Sequence, residues 1–187
     1  MDMARSQPAL LDRDRLVAAA FALLEEDGLE GLSMRPLASR LGVQAPALYW
    51  HVADKSELLG LMAKAIYAVA YASVPAAADW RNWLLAFGRA LRTAFASHRD
   101  GARLCATARA PRALSIADHA QTIAAPLVAL HLTEQQALSF QASVISFALG
   151  WASFEANGPM HDYLDEMLDF DASFEIGLQA LVRGFAI

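Results

Sequence analysis

The stretch LSMRPLASRLGVQAPALYWHV, residues 32–52, decides how the chain is read. Met34, Leu37, Ala38 and Leu41 recur at helical spacing, so a short helix buries one face. Gly42 follows, and glycine takes the positive φ that a sharp turn after a helix requires. Val43 fills the turn. Pro46 stands where a second helix begins, a position at which its missing N–H costs nothing. Leu48 and Val52 then face inward, which leaves Gln44, Ala45, Ala47, Tyr49 and His51 outside. Two helices joined this way form a helix-turn-helix, whose second helix enters a DNA major groove N-terminus first. The spacing alone fits an ordinary helical hairpin with a glycine turn equally well.

The rest of the chain also reads helical. Asp12 is placed to cap a first helix with Leu16, Ala20 and Leu23 on one face, ending at Gly28. Ser33 caps the second helix. Asp54-Lys55-Ser56-Glu57 has the form of a capping box, opening a fourth helix with Leu58, Leu61, Ala65 and Val69 inward. Asp79 starts a fifth, with Trp80, Leu84, Phe87, Leu91 and Phe95 alternating at four and three. A short helix or loop over 101–110 follows, then a helix from about Ala113 that Pro126 kinks or ends. Thr133 to Gln136 is a second capping box. The long helix beyond it carries the stripe Phe140, Val144, Phe147, Trp151 and Phe154, and Asn157-Gly158-Pro159 stops it. A last helix places Phe174, Leu178, Leu181 and Phe185 on one face. The expected class is all-α: a three-helix DNA-binding head over 1–54 and a helical core over 55–187, joined without a flexible linker.

Composition narrows the function. Of the 187 residues 56% are apolar, and the mean hydropathy is +0.29. Such an excess implies surface buried against a partner chain or around an apolar ligand. Cys105 is the sole cysteine, so there is no intrachain disulfide framework, and a cytoplasmic setting is the simplest. The net charge is −5, and residues 1–60 carry six basic against nine acidic side chains. Phosphate attraction must therefore come from local placement of charge, and two heads on a dimer would raise affinity through effective concentration. His51, His98, His119, His131 and His161 form no metal-spaced pair, and there is no phosphate loop or nucleophile elbow. No enzyme, metal site or cofactor is expected. Gln135–Phe154 is long enough to span a bilayer and uncharged, but it holds three glutamines and four serines and lacks basic anchors, so no membrane partner is expected. A dimeric helical module that binds small molecules without DNA remains an alternative, with an enzyme further behind.

Residues 16–59, LVAAAFALLEEDGLEGLSMRPLASRLGVQAPALYWHVADKSELL, resemble the TetR family of transcriptional regulators. LYWHV with the lysine three residues on is the most specific element. Trp80 with HRDGARL downstream and the C-terminal GLQALVRGF extend the likeness, and the tetracycline repressors within the family match best. The resemblance implies an all-helical homodimer on a pseudo-palindromic operator. The eighth and last helices would form a four-helix bundle with their mates through Phe140, Val144, Phe147, Trp151, Phe154, Phe174, Leu178, Leu181 and Phe185. It further implies that a small effector bound among helices four to eight controls release of the DNA.

By this resemblance Arg35 reads a guanine, with a phosphate contact as the alternative. Pro46 and Ala47 offer surface to a thymine methyl. Ala45 stands where the tetracycline repressors have a glutamine reader, and Gln44 lies one position earlier, so the operator should differ from theirs. Ser33, Tyr49, His51 and Lys55 are phosphate candidates. Trp50 is counted with the DNA-binding set, though partial core packing is the favoured reading for it. Tyr67, Tyr71, Phe87, Leu91, Cys105, Arg109, Gln121, Phe147 and Trp151 are the effector candidates, Gln121 foremost.

The chain also departs from the tetracycline repressors. Cys105 replaces the histidine that ligates drug-bound Mg²⁺, and a thiol is a poor ligand for that ion. Ala70 and Phe87 replace a histidine and an asparagine. Phe154 falls near the place of the partner chain's glutamate, with Glu155 one step away. The loop and extra helix before the last helix are largely missing. The expected effector is therefore a largely apolar small molecule, not Mg²⁺–tetracycline.

Overall fold

The structure, a computed structural model, describes residues 12–109 and 115–186. Among these are ten helices: α1 (Arg13–Gly31), α2 (Met34–Leu41), α3 (Ala45–Leu48), α4 (Lys55–Ala72), α5 (Trp80–Ala96), α6 (Gly101–Thr107), α7 (Ile116–Val128), α8 (Glu134–Glu155), α9 (Gly158–Asp165) and α10 (Phe170–Arg183). The expected start near Ala113 lies outside the described residues.

Capping chemistry sets most of the boundaries. The carboxylates of Asp12, Asp54 and Asp79 accept from the N–H groups of Arg15, Glu57 and Asn82. Each supplies a partner to an N–H that the first turn of a helix leaves unpaired. Thr133 and Gln136 form a reciprocal box. Glu57 reaches back to the N–H of Ala53 rather than of Asp54. Ser33 occupies the N-cap of α2 but makes no side-chain cap bond.

Two glycines have positive φ. Gly42, at +68°, ends α2. Gly28, at +70°, breaks α1 but does not end it, because a further turn runs on to Gly31.

The head packs α1, α2 and α3 around Leu16, Leu24, Leu37, Leu48 and Val52. α4 carries that core into the larger one, where α5 is central and meets α4, α6, α8 and α10. On α5 the expected stripe is buried from Trp80 to Phe95. On α4 the inward face differs from expectation: Leu58, Met62, Ile66 and Ala70 are buried, whereas Leu61 and Ala65 are half-buried and Val69 is 60% exposed. The i, i+4 row won over the i, i+3 start because α4 must meet both α1 and α5.

On α8 the innermost residues are Ala137, Gln141, Val144, Ala148 and Ala152. Small side chains let α5 approach closely. A Cβ added at Gly88 of α5 would lie 2.6 Å from Leu178 and 3.2 Å from Val144. Val144, Phe174 and Leu178, assigned above to a dimer seam, are therefore spent inside the protomer. Asn157-Gly158-Pro159 ends α8 as expected, but it also starts α9, with Asn157 accepting from Met160 N–H.

A Cβ at Gly42 would meet nothing within 4 Å. Gly42→Ala therefore isolates the conformational cost of positive φ, roughly 1 kcal/mol. Denaturant unfolding should show that loss with an unchanged m-value.

Candidate nucleic-acid interface and effector cavity

The turn after α2 closes through Val43 N–H on the carbonyl of Ala38, at 3.0 Å. Gln44 then leads into α3, which lasts one turn. Beyond Leu48 the chain coils tightly, with His51 and Val52 N–H both donating to the Leu48 carbonyl, at 2.9 and 3.0 Å. Burying Leu48 and Val52 turns the residues between them outward. Tyr49 is 52% exposed and Trp50 is 90% exposed. The expectation that Trp50 packs partly in the core is thus overturned: both inward positions of this turn are filled by aliphatic side chains.

Arg35, Gln44 and Pro46 share the exposed surface, while Ser33, Ala45, Ala47 and His51 are half-buried. Arg35 has no hydrogen-bond or ion-pair partner among the described residues. Lys55 instead directs Nζ toward the Leu29 carbonyl, at 3.5 Å. Arg13 carries no signal in the sequence that would select it. Its Nε donates to the His51 carbonyl at 3.2 Å and so fastens α1 to the reading turn.

The acidic excess of the head lies elsewhere. Glu26 pairs with Arg40, which holds its carboxyl below the usual range through their hydrogen bond. Glu25 meets His98 and the Arg99 backbone, and Glu30 meets Arg103, all on the side facing the core. Asp12 and Asp54 are caps. These five carboxylates are therefore engaged as caps or in pairs.

The effector candidates divide into groups. Tyr67, Tyr71, Phe87, Leu91 and Cys105 gather where α4, α5 and α6 meet. Tyr71 lies 4.6 Å from Phe87 between ring centroids, and Tyr67 lies 5.7 Å from Phe95. Burial pushes the Tyr67 hydroxyl up to about 12 and raises Tyr71 further. The Tyr71 hydroxyl donates to Gln141 Oε1 at 2.8 Å. Gln141 Nε2 donates to the carbonyls of Ile123 and Ala137, at 2.9 and 3.1 Å. Gln141 is 1% exposed and is the buried polar residue of this core. The sequence carries no signal that singles it out, because Gln135, Gln136 and four serines share the same helix.

Gln121 and Arg109 are exposed, so neither joins this group. Phe147 and Trp151 belong to a second aromatic cluster with Phe174, at 5.3 and 6.0 Å. Phe140 stacks on Phe185 at 4.3 Å. Glu155 is held by Arg92 of the same chain, which also pairs with Asp171. A surface pocket of about 560 Å³ beside Arg92 and Phe170 includes none of the effector candidates.

A compact helix-turn-helix head carried on a larger helical core defines a class of bacterial regulator, and the comparisons agree. The family described as "Bacterial regulatory proteins, tetR family" matches residues 16–62, and "Tetracyclin repressor-like, C-terminal domain" matches residues 74–166. The chain belongs to the TetR family, whose members are transcriptional regulators and not enzymes.

It is 46% identical over 101 residues to the class A tetracycline repressor from transposon 1721 of Escherichia coli, covering 53% of this chain and 47% of that protein. An HTH-type transcriptional regulator of Saccharopolyspora erythraea is 34% identical over 154 residues, covering 81% of this chain and 64% of that protein. The chain thus spans about half the length of the tetracycline repressor it matches. The crystal structure of TetR from Acinetobacter baumannii AYE superposes with a TM-score of 0.75 at 34% identity, covering 94% of this chain and 97% of that one.

Burial also pushes the Cys105 thiol up to about 12, so at neutral pH it is protonated and a weak nucleophile. A thiol reagent at pH 7.5 should label the folded protein far more slowly than the unfolded chain. Labelling at the rate of a free thiol would contradict this placement.

Proposed function

We propose that this protein is a homodimeric repressor that binds a pseudo-palindromic operator and releases it when a small, largely apolar effector enters the core. The observation that carries the reading is the outward display of Arg35, Gln44, Tyr49 and Trp50 around a turn whose aliphatic residues are buried. A tryptophan 90% exposed on a small head wants a surface to cover it. Arg35 reads a base edge, and Tyr49, Trp50 and His51 grip the flanking backbone and sugar. The head ends where α4 begins, at Lys55. Occupancy of the promoter is enough for repression, and the work is cytoplasmic.

The homodimer seam follows the outward faces of α8 and α10. Phe154 and Ile176 are 48% and 70% exposed there, and the half-buried Ile145, Leu149 and Leu181 lie on the same two helices. α8 is also long and apolar enough to cross a membrane by composition, but it packs against α5, α7 and α10, and a dimer interface accounts for its remaining apolar surface.

The effector site is the group Tyr67, Tyr71, Phe87, Leu91 and Cys105. Its hydroxyls are raised well above neutral pH, so it presents no charge and only a few polar anchors. Mg²⁺–tetracycline does not suit it: the thiol of Cys105 stays protonated, Ala70 and Phe87 offer no ligand atom, and Glu155 is engaged by Arg92. The effector acts by binding the DNA-free arrangement more tightly than the DNA-bound one.

Selection from random duplexes tests the DNA reading. It should recover an inverted repeat, and recovery of no common sequence would overturn it. On the selected duplex, Arg35→Ala should cost about 1–3 kcal/mol and relax preference at one base pair per half-site. A uniform loss over all sequences would make Arg35 a phosphate contact. Micromolar Mg²⁺–tetracycline should leave the complex intact, and release would refute the apolar-effector reading.

A further inference from the structure

The break in α1 at Gly28 strands backbone groups of the head: the last carbonyls of the main helix and the first N–H of the following turn have no partner within it. Partners arrive from the core, about seventy residues along the chain, in the turn between α5 and α6. Arg99 Nη1 donates to the carbonyls of Glu25 and Glu26, at 3.3 and 2.8 Å. Asp100 Oδ2 accepts from the Leu29 N–H at 2.8 Å. The neighbouring His98 places Nδ1 3.0 Å from Glu25 Oε1 and stacks on Phe21 at 4.2 Å.

Asp100 occupies the N-cap of α6, yet its side chain caps nothing there. Its φ of 56° lies in the left-handed region, which an aspartate adopts only at some cost. The backbone is thus held in an unfavourable conformation while the carboxylate is spent on another helix. Gly28 provides the clearance: a Cβ there would come 3.0 Å from Asp100 Oδ2 and 3.3 Å from the Arg99 guanidinium.

We infer that Arg99 and Asp100 are positioning residues that fix the orientation of the DNA-binding head on the core, as a second connection beside α4. α6 packs on α4, α5 and α8 and carries Cys105 of the effector group. A shift of α6 moves the carboxylate that holds Leu29, so the state of the core reaches α1 without passing along α4. The role in regulation rests on the proposed function; the clamp itself does not.

The test needs neither DNA nor effector. Asp100→Gly removes the acceptor while easing the positive φ. In the full-length protein it should speed amide exchange at Leu29 about tenfold or more and leave α8 protected. Residual dipolar couplings of 13–54 and of the core should then no longer fit one alignment tensor. Asp100→Asn keeps an acceptor oxygen and tolerates positive φ, so it should stay within about threefold of the unaltered protein and retain the single tensor. Unchanged exchange and a shared tensor in Asp100→Gly, or equal loosening in both variants, would overturn the proposal. Should Asp100→Gly fail to fold, Arg99→Gln leaves the Asp100 backbone alone and carries the same two outcomes. Failure of DNA selection would not touch these readouts.

Discussion

Burial of one face of α5 is the constraint on which the arrangement depends. Trp80, Trp83, Leu84, Phe87, Leu91 and Phe95 lose nearly all contact with water, each large side chain contributing roughly 1.5–3 kcal/mol before the entropy of ordering is counted. α4, α6, α8 and α10 are placed by their contact with this helix. The same face supplies Phe87 and Leu91 to the effector group, and the turn at its end supplies Arg99 and Asp100 to the head. The hydrophobic core, the proposed effector group and the turn that holds the head are therefore built on a single element and its end.

Charge placement resolves the conflict between an acidic chain and a nucleic-acid partner. Net charge governs long-range attraction, but within about a Debye length the nearest groups dominate. Here Asp12 and Asp54 are caps, Glu26 and Glu30 pair with Arg40 and Arg103, and Glu25 meets His98 and the Arg99 backbone N–H. What they leave on the reading surface is one arginine, two exposed aromatic rings and the polar edge of the turn. Under the proposed function, so little charge on one head makes a second head on the same molecule a requirement.

Local signals in the sequence were legible because their chemistry is local. The caps at Asp12, Asp79 and Thr133, the glycine at 42 and the stripe on α5 all appear where the residues placed them. The failures share a different cause. A stripe of large apolar residues says which face is oily, not what covers it. On α8 the aromatic stripe suggested the buried face, but close approach of α5 selected the row from Ala137 to Ala152, which is small at most positions. Val144 and Leu178 went with it into the protomer. Trp50 was misplaced because its neighbours Leu48 and Val52 suffice to fill the head. Gln141 was not singled out, for a related reason: its partners, the Tyr71 hydroxyl and two backbone carbonyls, lie on other turns of the chain and leave no mark on its own neighbourhood. Arg13 and Asp100 act across long sequence separations that no local pattern records.

The proposed function requires one geometry: two identical heads, fixed to a shared core, meet one face of a DNA duplex together. Hydroxyl-radical footprinting on the selected duplex tests this most directly. Two symmetric protected patches are expected on one face, separated by a helical turn or a whole multiple of it. A single patch, or two patches whose spacing varies freely between sites, would contradict it.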